Sequence, residues 1–237
     1  MRAPENCTGH ATRKTKVSSR SRWQQETRDG LLGEYGIIAP HGIAHLRRLL
    51  SELLADPESS GLSGLLSETL VEISGRLRFF DERIGAYDLR IGRVFSDDER
   101  CQRLAKVEGI GPLVATAMVA AVGNAREFKS GRELSARLGL VPRQHSSGNR
   151  NVLLGISKRG DRYLRTLLIH GARSALCRVE RRRDRRSLWA SRFKLARGFN
   201  VAAVALANKN ARIIWALLTR GDNYRPKVPA DPGKQAA

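Results

Sequence analysis

Two hydroxyls, Ser146 and Ser147, sit in the segment Gly139 to Arg165, GLVPRQHSSGNRNVLLGISKRGDRYLR, between Arg143 and Arg150. Serine hydroxyls in a basic loop can hold and attack a phosphodiester. The cations neutralise phosphate oxygens, and the hydroxyl becomes a nucleophile once a base or a metal takes its proton. Lys158, Arg159, Arg162 and Arg165 follow, as Ile156-Ser157-Lys158-Arg159-Gly160-Asp161 leads into an amphipathic helix. The competing reading is a turn and nothing more, since serine and glycine are common turn formers.

A second phosphate-binding candidate lies upstream. An apolar helix end at Leu104 to Val107 runs into Glu108-Gly109-Ile110-Gly111-Pro112, and Leu113 to Thr116 then continues as a helix with proline in its first turn. This is a helix-hairpin-helix pattern. Gly109 and Gly111 would allow a phosphate close to the backbone, and the amides that open the second helix could bind its oxygens. Glycine turns of this kind also join purely structural helices. The flanking Arg103, Lys106, Arg126, Lys129 and Arg132 favour the phosphate reading.

The charge balance agrees with a polyanionic partner. The 237 residues carry 43 Lys and Arg against 23 Asp and Glu, a net charge of +20. Residues 1–100 hold 15 of each sign, so the entire excess lies in residues 101–237. The polar, basic start has no apolar core like that of a secretory signal, and no apolar run is long enough for a membrane span, so a cytoplasmic protein without membrane contact is expected. Cys7, Cys101 and Cys177 are isolated, which argues against a disulfide framework or a zinc site. Five histidines form no metal-binding pattern. His41 and His45 are four apart, but Pro40 and Gly42 place a turn at His41. No metal ligands are assigned.

The elements that must position these groups read as mainly α. Residues 1–27 lack periodicity and are expected to be disordered. Residues 28–96 form a helical linker. In it a turn at Ala39-Pro40-His41-Gly42 precedes a helix from Ile43 to Leu54. An apolar seam then follows at Leu66, Leu70, Ile73, Leu77, Phe80, Ile84, Tyr87, Ile91 and Val94. Its steps of four and three predict a long coiled-coil helix, and self-association through the seam is the preferred reading over a helix packed inside its own domain. Residues 97–223 make a helical C-terminal domain that starts at the acidic stretch Ser96 to Glu99. That domain includes a helix from Asp161 to Val179, the run Arg178, Arg181, Arg182, Arg183, Arg185 and Arg186, and a last apolar helix from Asn200 to Thr219 with Trp215 in the core. Six arginines that close repel one another unless an anion is near. Residues 224–237, with three prolines, are expected to be a loose tail.

Several of these pieces occur in one order: Val107 to Pro112, Gly139-Leu140-Val141-Pro142, Ser147-Gly148, and Ile156 to Asp161 followed by Tyr163-Leu164-Arg165. Together they resemble the C-terminal domain of the bacterial insertion-sequence transposases called Transposase-20, whose full-length members look like bridge-RNA-guided recombinases. The resemblance runs from about Arg28 to about Asn223. It implies an N-terminal RNase H-like domain with four acidic residues that bind magnesium, a dimerising coiled coil, and a C-terminal serine that forms a phosphoserine link to DNA. By motif position that serine is Ser147, with Ser146 as the neighbouring candidate. Asn149 departs from the pattern, since members more often carry a second glycine there. The chain looks N-terminally truncated, so it is expected to bind no cofactor itself, with magnesium entering only alongside the acidic domain. The implied partners are DNA, a bridge RNA and a second copy in a homodimer or higher oligomer. Two functions compete: a transposase part whose serine reacts once the acidic domain is supplied, and a non-catalytic DNA-binding, dimerising remnant. A helix-hairpin-helix repair or structural factor is a weaker third.

Overall fold

The computed structural model describes residues 3–56, 62–147 and 150–227, without the side chains of residues 3–7, 145–147, 150–151 and 153. It is mainly α, as the periodicities predict, with one small antiparallel sheet. Two compact units divide at Arg90 and Ile91, inside the long helix, rather than at 96 and 97.

The first unit, Thr8–Arg90, packs three helices. They are most of α1 (Ala3–Gln25), α2 (Ile43–Ala55) and most of α3 (Gly64–Asp97), with a π-helical turn at Glu26–Leu32. Residues 3–27, for which disorder was expected, are instead helical. A helix with almost no apolar periodicity is held here by its neighbours rather than by its own pattern. Arg13 bonds Asp88, Arg20 bonds Asp81 at 2.7 Å, and the Arg76 guanidinium lies 4.6 Å from the Trp23 ring centre. These pairings run α1 antiparallel to α3. Arg47 of α2 reaches the other oxygen of Asp81, so one carboxylate ties both helices to the third.

The seam of α3 is used within the chain. Leu66, Leu70, Ile73 and Leu77 pack with Leu32, Ala39, Leu46 and Leu50, and Ile84 is also buried. The first half of the seam is thus used inside the chain's own domain, while Phe80, Tyr87 and Val94 further along it are only half-buried. α2 begins at Ile43 after the turn expected at residues 39–42, and His41 stays outside the helix that holds His45.

The second unit, from Ile91, contains α4 (Glu99–Ala105), α5 (Pro112–Val122), α6 (Gly131–Arg137), β1 (Pro142–Ser147), β2 (Arg150–Ile156), α7 (Arg162–Cys177), α8 (Arg185–Arg197) and α9 (Phe199–Arg220). Five of the six helix starts, all but that of α9, have a local cause in the sequence. Asp98 accepts the Arg100 amide, Pro112 opens α5, Asp161 accepts the amides of Tyr163 and Leu164, and Asp184 accepts that of Ser187. Ser130 caps the Glu133 amide while the Glu133 carboxylate takes that of Lys129, a close relative of the capping box.

α9 lies at the centre, against α6, α7 and α8. By length and composition it could cross a membrane, but Ala202, Ala203, Leu206, Ala207, Ala211 and Ile214 are buried in the protein core. Trp215 donates to the carbonyls of Ala125 and Phe128 at its edge. The expected loose tail is bound where it is described: Tyr224 packs on the core and the Lys227 carbonyl accepts the Arg185 amide.

α7 approaches the turn before α5 closely. A Cβ added at Gly109 would lie 2.5 Å from the Gly171 carbonyl oxygen, and one at Gly171 would overlap the Gly109 carbonyl. Gly171→Ala should therefore lose about 1–3 kcal/mol of stability through overpacking. Gly75→Ala, whose new methyl meets nothing within 4 Å, should gain about 0.5–1 kcal/mol from helix propensity. Urea unfolding of the two variants measures both, and equal effects would contradict the packing described.

Candidate nucleic-acid interface

The serines stand at the far end of a β-hairpin. Strands β1 and β2 pair antiparallel, Ser147 opposite Arg150, Ser146 opposite Asn151 and Pro142 opposite Ile156, with an irregularity between Pro142 and Gln144. The basic loop expected here is thus two strands joined by two residues, and the serines close the first of them. The sequence does carry a signal for this. A Gly-Asn pair between two extendable runs is a sequence signal for a hairpin, obscured here by the polar composition of PRQHSS.

A two-stranded hairpin is marginal alone, and this one is anchored at its base. The Ser157 amide donates to the Val141 carbonyl at 2.8 Å and the Lys158 amide to that of Gly139 at 3.2 Å. Gly139 and Gly160, with φ of 67° and 81°, let the two chain segments touch. A Cβ at Gly139 would overlap the Arg159 carbonyl, and one at Gly160 that of Arg137. Lys158 itself takes a left-handed φ of 57°. Asn208 of α9 holds the Leu140 carbonyl at 3.0 Å.

Arg165 completes the anchor. It is 8% exposed, and its Nη1 donates to the carbonyls of Leu138 and Arg159, each at 3.1 Å. Its expected place among DNA-binding residues is corrected: the guanidinium is spent on backbone, inside the protein. Arg143, Lys158, Arg159 and Arg162 are exposed on or below the hairpin, where a polyanion can reach them. The side chains of Ser146, Ser147 and Arg150 lie outside the described residues.

The turn before α5 divides its two glycines. Gly109, φ 79°, is pressed against α7, whereas Gly111 has an extended backbone and only open space around a would-be Cβ. Of the pair, Gly111 is therefore the one open to a ligand. The carbonyl between them and α4 is clamped: Arg186 donates to the Glu108 oxygen at 2.8 Å and Asn210 at 3.2 Å, while Arg182 pairs with the Glu108 carboxylate. The arginine run is accordingly split. Arg186 is buried and Arg182 is paired, and Arg178, Arg181, Arg183 and Arg185 are exposed. Arg103 and Lys106, expected beside the phosphate, are held by the Gly221 carbonyl and the Asn223 side chain.

Sequence reading did not single out Gly171, Arg186 or Asn210 as structural partners of this turn. Glycine inside the amphipathic helix α7 was the available sign of a close backbone approach. Cys101 is buried, and burial pushes its thiol up to about 12, so it is packing and not a nucleophile. Among the described residues no three His, Cys, Asp or Glu side chains group as metal ligands would.

Comparison with known proteins adds a family. The model of the transposase IS116/IS110/IS902 family matches residues 101–188, which span α4 to the start of α8. A probable family 20 transposase of Pseudomonas aeruginosa is 47% identical over 218 residues, covering 92% of this chain and 64% of that protein. The transposase for insertion sequence element IS1111A of Coxiella burnetii is 48% identical over 209 residues, 88% of this chain and 57% of its own length. The transposase for element IS1328 of Yersinia enterocolitica is 36% identical over 212 residues, 90% of this chain and 62% of its own. The chain thus spans 57% to 64% of the length of these relatives.

Arg165→Met should cost about 3 kcal/mol, because two inward-facing carbonyls lose a charged donor. Arg162→Gln, at an exposed position, should stay within about 0.5 kcal/mol of the parent. Chemical denaturation distinguishes them, and a neutral Arg165→Met would refute the anchoring role.

Proposed function

The chain belongs to the IS116/IS110/IS902 transposase family, and we propose that it is the DNA-handling part of an insertion-sequence transposase, with Ser147 as nucleophile and Ser146 as the neighbouring alternative. The observation that supports this most is the anchored hairpin. It carries the serine pair at its end on a base fixed by Gly139, Gly160 and Arg165, with exposed Arg143, Lys158, Arg159 and Arg162 around it. A rigid mount matters because misplacing a nucleophile by 1 Å can cost on the order of 10²-fold in rate.

In the reaction proposed, the serine Oγ bonds to a DNA phosphorus as the bond from that phosphorus to a deoxyribose oxygen breaks. The hydroxyl gives up its proton and the departing sugar oxygen gains one, so the charge on the phosphodiester is conserved in a phosphoserine link. Reversal onto another strand end rejoins the DNA without an external energy source. The exposed cations hold the phosphates on either side, and the open Gly111 turn with the first amides of α5 offers a further backbone contact. Magnesium, implied by the family resemblance, is not matched by the described residues of this chain, which present no cluster of carboxylates. The acidic half is therefore assigned to the partner protein or domain, and a bridge RNA to the guide.

The test incubates the chain with labelled insertion-sequence-end DNA, bridge RNA and magnesium, with and without an intact family transposase. A covalent protein–DNA adduct should form with the transposase present, persist in Ser146→Ala and vanish in Ser147→Ala. No adduct on this chain in any mixture, with DNA binding retained, would leave a binding protein and sink the nucleophile. Binding should weaken steeply with salt, and Arg143→Gln or Arg159→Gln should each lower the slope of log K against log salt by about one.

A further inference from the structure

Beside the hairpin, β2, α8 and α9 enclose a groove of about 710 Å³, a volume usual for a small-ligand site. Much of its wall is apolar: Leu154 and Ile156 come from β2, Trp189 and Phe193 from α8, and Val201 and Val204 from α9. The Trp189 and Phe193 rings stack 22° from parallel with centres 5.4 Å apart. The charged residues along the groove are Lys158, Lys209 and Arg212, and none of the residues lining it is acidic. Lys209 Nζ lies 4.0 Å from the Trp189 ring centre. Burial first, and then the nearby Arg212 and Arg186, lower its affinity for its proton.

Like charges that share one half-enclosed space are complemented by an anion, and apolar walls with aromatic rings by a flat, weakly hydrated body. One nucleotide offers both. A base within a duplex is stacked and cannot enter a groove this size, whereas an unpaired base can leave the stack at modest cost. We infer that the groove between β2, α8 and α9 is a subsite for a single unpaired nucleotide, its base on the wall formed by Phe193 and Val204 and its phosphate at Lys158, Lys209 and Arg212. The subsite rests on the nucleic-acid reading above and specifies where a strand opened next to the serine hairpin would be held.

The test measures binding of the full chain to three oligonucleotide duplexes: fully paired, with one unpaired nucleotide, and with an abasic gap at that place, each in DNA and in RNA–DNA hybrid form. The unpaired nucleotide should bind roughly tenfold tighter than the other two, and the hybrid arm shows which strand type supplies it. Val204→Trp, which fills the groove, should abolish the preference while binding to the paired duplex is unchanged. A 5-iodouracil at the unpaired position should photocrosslink to Trp189 or Phe193 in the unaltered chain, a readout that does not depend on the variant folding. Paired binding without preference, or crosslinks only elsewhere, overturns the subsite and leaves the nucleic-acid reading standing. Loss of all nucleic-acid binding removes both. If there is no preference and Val204→Trp instead abolishes self-association in ultracentrifugation, the groove is a protein interface and the inference is wrong.

Discussion

The hairpin depends on the contact between the end of α6 and the segment that leads into α7, where backbone meets backbone with no room for a side chain. Gly139 and Gly160 make that approach possible, and Arg165 makes it stable by donating to carbonyls from both sides. A carbonyl turned inward without a donor costs about 1–3 kcal/mol, so the arginine and the glycines form one device. Everything above it, including the register that sets Ser147 opposite Arg150, is built on a platform that cannot slide. The turn before α5 repeats the principle: Gly109 and Gly171 touch, and Arg186 and Asn210 secure the adjoining carbonyl. Buried arginine serves as backbone glue in both places, an unusual use for residues that composition alone assigns to a polyanion.

Periodicity made the helices legible. The seam of α3, the start of α4 at Asp98, the proline-led start of α5 and the cap at Asp161 all follow from local chemistry that a sequence displays. The destination of the seam did not follow. The same stripe of Leu66, Leu70, Ile73 and Leu77 suits a second copy or the chain's own α2, and only the fold decides between them. α1 was invisible for the opposite reason: its own pattern is weak, and its order comes from ion pairs to α3 that join residues 61 and 75 positions apart.

At the candidate site, residue types were readable and their division of labour was not. Arg159, Arg162 and Arg165 look alike in a string of letters, yet the third is buried by its turn of α7 and the others face outward. Gly109 and Gly111 look like a matched pair, yet one is a packing glycine and the other faces open space. The groove beside the hairpin was beyond sequence reading, since Leu154, Trp189, Val204 and Lys209 lie on three elements whose adjacency is a property of the tertiary structure.

Arg165 has one more property. Carbonyl dipoles solvate its charge but do not cancel it, so a guanidinium charge sits under the hairpin. Ions in solution screen Arg143 and Lys158 directly, because those side chains stand in water, and they reach a buried charge much less. As ionic strength rises, the exposed cations lose their pull first and the field beneath the hairpin fades last. The platform that fixes the serines in place is thus also the most salt-resistant part of the potential that would draw a phosphate towards them.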